Sequence, residues 1–270
     1  MIGAAFGVGF IIGPIIGGQL GAIDLRLPFW FAAGLALLNF LYGWFVLPES
    51  LPKERRTSTF DWSHANPIGS MALLKRYPQV FGLAAVVLIA NLAHFVYPSV
   101  FVLFAEYQYQ WDSRQIGGVL AIVGVCSVIV QAGLVGRVVP RFGERRTLLF
   151  GLACGVVGFC IYGMADLGWM FLIGLPISAL WGLAGPATQA LITQQVGADV
   201  QGRVQGALMS LVSLAGIVGP MMFAGTFALF IGKAAPAHLP GAPWLLAALL
   251  LAIGWLVGWR FARPPSAAAH

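Results

Sequence analysis

The 26 residues QVFGLAAVVLIANLAHFVYPSVFVLF, positions 79–104, decide the fold class, because they contain no Asp, Glu, Lys or Arg. An α-helix rises about 1.5 Å per residue, so roughly 20 mostly apolar residues cross the hydrocarbon layer of a bilayer. This run is long enough to do so, and it predicts a transmembrane helix.

Seven further runs have the same character, and none carries a charged residue in its interior. A helix satisfies its backbone hydrogen bonds internally, which is what a segment in lipid requires. We therefore predict an all-α integral membrane protein with eight transmembrane helices. The predicted spans are residues 2–22, 29–47, 79–104, 116–136, 147–166, 169–192, 203–230 and 242–262.

The composition excludes several other classes of protein. Hydrophobic residues make up 59% of the chain and charged residues 9%, whereas a soluble domain has about 25% charged residues. A disordered chain would instead have few hydrophobic residues and a high net charge. The net charge of +6 does not indicate nucleic-acid binding, since the basic residues lie in short runs between apolar segments. The three cysteines lie inside apolar runs without metal-ligand spacing, so neither a disulfide framework nor a metal site is expected.

The distribution of basic residues predicts the orientation. Alternate loops hold twelve and three Lys or Arg residues, and such residues are retained on the cytoplasmic side of a membrane. We expect a multi-pass protein of the inner (plasma) membrane with both termini in the cytoplasm. The twelve are Lys53, Arg55, Arg56, Lys75, Arg76, Arg137, Arg141, Arg145, Arg146, Arg203, Arg260 and Arg263, and the three are Arg26, Arg114 and Lys233.

The longest polar segment, residues 48–78, lies between the second and third predicted spans. It combines a proline-containing start, PESLP, with the basic run KERR. We therefore predict a two-helix region at 1–47, a cytoplasmic linker at 48–78 and a six-helix region at 79–270.

A glycine motif occupies the first span. In residues 9–18, GFIIGPIIGG, glycines recur every four residues and lie on one helix face, which lets helices approach closely. Its proline interrupts helical hydrogen bonding, so the motif predicts a packing seam or a hinge. A second Gly-Pro pair follows 206 residues later, as in transporters with internal repeats. The motif residues are Gly9, Gly13, Pro14, Gly17, Gly18, Gly219 and Pro220.

Few polar side chains lie inside the predicted spans. Asn91 and His94 are three residues apart, so they share a helix face and can both reach a central cavity. The alternative is that each forms a hydrogen bond to a neighbouring helix.

Two segments, residues 9–18 and residues 136–146 (GRVVPRFGERR), are the most distinctive of the sequence. The first resembles the antiporter motif in the fifth helix of drug exporters of the major facilitator superfamily, and the second resembles the cytoplasmic motif between the eighth and ninth helices of that superfamily. Three shorter motifs point to the tetracycline/proton antiporters and their close relatives. They are Asn66-Pro-Ile-Gly69, Trp111-Asp112 and Gln201-Gly-Arg-Val-Gln-Gly206.

The resemblance implies the following organisation and function. Such transporters have twelve helices in two six-helix halves, and the eight spans here match helices five to twelve. Residues 48–78 then connect the halves, and the chain is expected to be truncated. The implied activity is alternating access, driven by a proton gradient without a bound cofactor. The expected partners are the bilayer, a small lipophilic substrate and a missing N-terminal half.

The same resemblance identifies positions in the cavity. Gln131 matches a glutamine of the eighth helix, so we predict that it contacts substrate together with Asn91 and His94. Gly155 stands where tetracycline exporters carry an aspartate, and Ser127 where they often carry a histidine. Both departures argue against tetracycline itself as the substrate.

The loop at residues 136–146 allows two interpretations. Its basic residues either anchor the chain on the cytoplasmic side or form a gate by pairing with helix ends or acids when that side closes. Gly143 is expected to form the tight turn between the flanking helices. The predicted gate residues are Arg137, Arg141, Gly143 and Arg145.

The predicted function is proton-coupled efflux of lipophilic drugs by a truncated transporter that is inactive alone. An enzyme is not expected, because HExxH, GxSxG and GxxxxGK[ST] motifs are absent from the sequence. The alternative is a non-transporting membrane fragment, or an assembly partner of another half-transporter.

Overall fold

The computed structural model describes residues 26–48, 78–197, 200–232 and 238–262, and scattered positions from 9 to 24. Within these residues, seven helices are long and apolar enough to cross a membrane. The predicted all-α class is confirmed. Most of the first predicted span, including Pro14 and Gly18, lies outside the described residues, and so do residues 49–77 of the predicted linker 48–78. Every described position from 9 to 23 is helical.

Three of the seven long helices change their hydrogen-bonding pattern part-way along, so they are divided into shorter segments. The segments are α1 (Leu27–Phe45), α2 (Pro78–His94), α3 (Val96–Tyr109), α4 (Ser113–Val128), a π-helical turn (Ile129–Leu134), α5 (Val135–Phe142), α6 (Glu144–Met164), α7 (Gly168–Ala179), a 3-10 turn (Leu180–Leu183), α8 (Ala184–Gln194), α9 (Gln201–Ile231) and α10 (Ala242–Phe261).

The helices that follow the linker form one packed bundle. α10 packs against both α2 and α6, α6 also contacts α7 and α8, and α9 lies along α2 and α3. Among the seven long helices of the described residues, α1 is the one without a buried residue. Among the described residues, the buried core therefore lies within 78–262, and the candidate site lies in this region.

The end of α3 shows why a helix can extend beyond the predicted span. The apolar window closes at residue 104, but the helix continues to Tyr109 and carries the exposed Glu106. It ends at Gln110, whose backbone is left-handed (φ 55°). In this conformation the N–H of Gln110 donates hydrogen bonds to the carbonyl oxygens of Ala105 and Glu106. Hydropathy marks the hydrocarbon-spanning part of a helix, whereas the backbone cap marks its end.

Small residues of α6 let the neighbouring helices approach closely. A Cβ added to Gly158 would lie 2.6 Å from the Cβ and 2.8 Å from the Cα of Ser178 in α7. A Cβ on Gly151 would lie 3.0 Å from the backbone nitrogen of Ala184 in α8. This is the backbone proximity that small residues provide between membrane helices.

Aromatic rings fill the bundle at the end where α3 finishes and α7 and α10 begin. Tyr162 and Phe171 stack at 4.2 Å between ring centroids, and Trp244 packs edge to face on Tyr162 at 5.1 Å, with 66° between the ring planes. All three side chains are fully buried. Such stacked and edge-to-face pairs pack into an apolar aromatic cluster.

Candidate functional site

The three interrupted helices change geometry close to their midpoints. Pro78–Tyr109 is interrupted at Phe95, Arg114–Phe142 contains the π-helical turn, and Gly168–Gln194 contains the 3-10 turn. π-helical turns occur frequently at functional sites. In transporters, discontinuous helices bind substrates and ions near the bilayer midplane.

The interruptions lie beside one another. The imidazole of His94, the last residue of α2, is 5.8 Å from the ring of Trp181 in the 3-10 turn. On the next residue of that turn, a Cβ added to Gly182 would lie 3.6 Å from Nε2 of Gln131. The 3-10 turn therefore connects His94 on one side with the π-helical turn on the other. We call His94, Trp181 and Gln131 the midpoint site.

The midpoint site includes two of the three predicted substrate residues. His94 is exposed, and Gln131 and Trp181 are half-buried. Asn91 lies one helical turn before His94, and its Nδ2 donates to the carbonyl of Val87 in the same helix at 2.8 Å. The amide group of Asn91 is thus held by its own helix, near the site but outside the contacts that define it.

Trp181 is the residue that sequence reasoning missed. Its ring packs on Phe159 at 5.5 Å, edge to face, and approaches the backbone of α6. A Cβ added to Gly155 would lie 3.0 Å from Cγ of Trp181 and 2.7 Å from Cδ1 of Leu251. Trp181 and Leu251 therefore leave no room for a side chain where the resemblance places an aspartate of tetracycline exporters.

A chain of buried hydroxyl groups fixes the wall behind His94. Tyr97, 6.0 Å from His94 between ring centroids, donates to the hydroxyl of Tyr162 at 3.3 Å. The hydroxyls of Tyr162 and Ser178 are 2.5 Å apart, and Ser178 donates to the carbonyl of Leu175. Each of these three hydroxyl groups has a hydrogen-bond partner, so the Tyr97 ring is held in a single position.

The chemistry of the midpoint site is aromatic and weakly polar. It offers indole and imidazole rings for stacking and one primary amide for hydrogen bonding. Among the described residues, no group of three His, Cys, Asp or Glu side chains is arranged to bind a metal ion. The site suits a planar apolar molecule with a few polar groups.

The second Gly-Pro pair packs against one of the interruptions. A Cβ added to Gly219 of α9 would lie 2.6 Å from Cβ of Phe95, and the end of the Phe95 ring lies against Gly216. Beside Gly9, Gly13 and Gly17, by contrast, an added Cβ would meet no atom within 4 Å. The packing seam or hinge expected from the first-span motif stays a prediction.

We expect Gly219→Ala to lower the free energy of unfolding by about 1–3 kcal/mol, because the added methyl overlaps Phe95. Thermal unfolding of the purified chain in detergent measures this. The control is Gly225→Ala on the same helix, where an added Cβ meets no atom within 4 Å, so alanine is neutral or slightly stabilising. Equal effects of the two changes would contradict the assigned contact.

The segment 136–146, which the sequence predicts to be a loop, is helical except at Gly143, the one residue between α5 and α6, where the chain turns with φ of 78°. A residue with a side chain is strained there. Before the turn, Arg137 Nη1 donates to the carbonyl of Gly133, 2.7 Å away in the π-helical turn. Arg137 therefore connects the loop to the segment that carries Gln131.

After the turn, Arg145 connects the loop to another helix. Its Nη2 donates to the carbonyl of Trp259 near the end of α10, at 3.1 Å. The guanidinium of Arg141 lies 5.9 Å from the ring of its neighbour Phe142. These contacts hold one arrangement of the loop, and its role as a gate stays a prediction.

Comparison with known proteins identifies the family. The sequence profile described as Major Facilitator Superfamily matches residues 1–220. The chain belongs to the major facilitator superfamily. Members of this superfamily are transporters rather than enzymes, and seven apolar helices in the described residues agree with a multi-pass membrane protein.

Several similar proteins are named for drug resistance. The class C tetracycline resistance protein of Escherichia coli is 35% identical to this chain. The matched region covers 93% of this chain and 61% of the length of the class C protein. The class D protein of Salmonella ordonez is 34% identical over 95% of the chain and 64% of its own length. Multidrug resistance protein 2 of Bacillus subtilis (strain 168) is 30% identical over 82% of the chain and 55% of its own length.

The chain thus spans about three fifths of the length of the curated relatives it matches. Among solved structures, the human organic anion transporter MFSD10 (TETRAN) superposes with a TM-score of 0.76 over 95% of this chain and 62% of its own chain. The two sequences are 23% identical, so this likeness concerns the fold.

Proposed function

We propose that this chain provides helices five to twelve of a proton-driven exporter of small lipophilic drugs. In this proposal, the midpoint site is the wall that the C-terminal half contributes to the central substrate cavity. The observation that carries it is the meeting of three interrupted helices at His94, Trp181 and Gln131. Alternating access in transporters uses a site near the midplane between two halves.

The chemistry of the site supports lipophilic drugs over tetracycline itself. Indole and imidazole rings stack with planar apolar molecules, and Gln131 offers one hydrogen-bonding amide. Trp181 and Leu251 leave no room for a carboxylate side chain at position 155. The relatives named for tetracycline and multidrug resistance agree with drug export as the class of activity.

We further propose that the 270 residues do not export drugs by themselves. Alternating access requires two bundles that face each other. In the described residues, no residue of α1 is buried against another helix. Joined to the four N-terminal helices of the class C relative, the chain is expected to export ethidium, a fluorescent aromatic cation.

Energised cells loaded with ethidium test this prediction. The joined protein should lower ethidium accumulation, a protonophore should abolish the effect, and the 270-residue chain alone should match cells carrying no insert. Within the joined protein, Gln131→Ala should weaken export and Gln189→Ala should not, since Gln189 is exposed on α8 outside the midpoint site.

Two results would count against the proposal. Export by the 270 residues alone would show that eight spans suffice for transport. A stable joined protein that exports nothing would favour the alternative, a non-transporting partner of another half-transporter.

The proposed orientation, with both termini in the cytoplasm, has its own test. In a background with the three cysteines changed to alanine, Leu167→Cys at the turn before α7 should react with an impermeant maleimide added to whole cells. Arg146→Cys at the start of α6 should react only after the cells are opened. Both residues are exposed, so the opposite pattern would reverse the topology inferred from the twelve-to-three distribution of basic residues.

A further inference from the structure

Among the described Asp, Glu, Lys, Arg and His side chains of the long helices, His94 is the one that lies nearest a helix midpoint. It is the residue before the interruption of Pro78–Tyr109, near the helix midpoint. The described Asp, Glu, Lys and Arg residues lie in loops or near helix ends, as Glu106 and Arg137 do. An ionisable group at membrane depth is expensive and usually functional. Histidine is also the side chain that ordinarily titrates near neutral pH.

We propose that His94 carries the exchanged proton, and that a proton on His94 and a substrate on Trp181 exclude each other. This inference rests on the proposed function and adds to it the residue that couples the two movements. The proton binds a ring nitrogen of His94, so no other bond forms or breaks and one proton is exchanged per substrate.

The position of His94 supports this exclusion. Its ring is exposed, while Trp181 and Tyr97 flank it at 5.8 and 6.0 Å. A planar molecule lying on the Trp181 ring would cover the open side of His94 and remove water from it. Taking water from an imidazolium costs far more free energy than taking it from a neutral imidazole. A bound substrate therefore favours the neutral ring.

The groups packed around His94 do not offset that cost. Asn91 lies on its own helix, Trp181 on the 3-10 turn, and Phe159 of α6 packs against both Trp181 and Tyr97. The titratable groups nearby are the phenol of Tyr97 and, behind it, the phenol of Tyr162, which the thiol of Cys126 approaches. Phenols are neutral between about pH 5 and pH 8. Within the described part of the chain, these neighbours supply no carboxylate to stabilise a charged His94.

The coupling follows from the exclusion. When the cavity opens outward, a proton from the external water binds His94 and the substrate leaves. When it opens inward, the proton passes to the cytoplasm and a new substrate binds the neutral site. Mutual exclusion of two ligands is a coupling free energy, so each lowers the affinity for the other by the same factor.

Ethidium binding to the 270-residue chain in lipid nanodiscs tests the proposal, because ethidium is a quaternary cation whose charge does not change with pH. The dissociation constant should rise about tenfold per pH unit below the point where His94 takes up a proton. His94→Gln, which is always neutral, should bind tightly at every pH, and His94→Arg, always charged, weakly at every pH. His238→Gln, an exposed loop histidine, should keep the native pH dependence.

A second measurement does not require substitution of His94. The chain has four histidines, so His64→Gln, His238→Gln and His270→Gln together leave His94 as the single imidazole. Its ring carbon NMR signal should titrate in nanodiscs, and saturating ethidium should move the midpoint to lower pH. An unmoved midpoint would overturn the proposal.

The outcomes separate this inference from the proposed function. Binding that keeps its pH dependence in folded His94→Gln, or native binding that is independent of pH, overturns the role of His94 alone. Failure of the native chain to bind ethidium at any pH overturns the drug site, and the inference with it.

Discussion

Replacing Trp181 by alanine weakens ethidium binding to the chain about thirtyfold, which corresponds to about 2 kcal/mol of lost contact. Trp181 lies between His94 and the π-helical turn and offers the largest apolar surface of the midpoint site. Removing its ring takes away the stacking surface and leaves the hydrogen-bonding amide of Gln131 in place. Equilibrium binding to the purified chain in nanodiscs measures the change.

The matched control is Trp259→Ala. Trp259 is a tryptophan of similar size that is 56% exposed near the end of α10. Its contact with Arg145 uses the backbone carbonyl, which alanine retains. Ethidium affinity should not change, and Trp181→Phe should lose less affinity than Trp181→Ala because part of the stacking surface remains. Equal losses at positions 181 and 259 would mean that the dye binds the lipid-facing surface instead.

Gly158→Leu lowers the free energy of unfolding by about 3 kcal/mol or more. Even one added carbon would lie 2.6–2.9 Å from the Cβ, Cα and nitrogen of Ser178, and backbone cannot move aside as a flexible side chain can. Separating α6 from α7 also breaks the short hydrogen bond between Tyr162 and Ser178. Thermal unfolding in detergent, followed by circular dichroism, measures the loss.

Gly118→Leu on α4 provides the comparison, because an added Cβ there meets no atom within 4 Å and the residue is exposed. It should unfold at the native temperature or slightly above it, since leucine favours helix over glycine. A Gly158→Leu protein as stable as Gly118→Leu would show that α6 and α7 are further apart than described.

The membrane fold can be predicted from sequence because hydropathy acts over whole helices. Each predicted span from residue 29 onward coincides largely with one long apolar helix of the structure. Helix ends are less predictable, because they depend on local caps such as the left-handed Gln110. Exposed charged residues such as Glu106 continue a helix beyond its apolar part.

The candidate site is only partly visible in the sequence. His94 and Gln131 stand out because polar residues in apolar spans are few, and the resemblance supports Gln131. Trp181 does not stand out in the sequence, because aromatic residues are common in membrane spans. Its place in the site becomes visible only through its contact with Gly155 in another helix. The π-helical and 3-10 turns that bring the three residues together lie inside apolar runs, where hydropathy does not distinguish them from ordinary helix.

Photolabelling with ethidium monoazide tests the central claim most directly, because it shows where a drug-like molecule lies on the chain. After illumination in nanodiscs and digestion, the account predicts label on the segments around His94, Gln131 and Trp181, with unmodified ethidium preventing it. Label confined to lipid-facing residues such as Leu249 and Ile253, which are exposed on α10, and unaffected by competitor would contradict a substrate site at the midpoint.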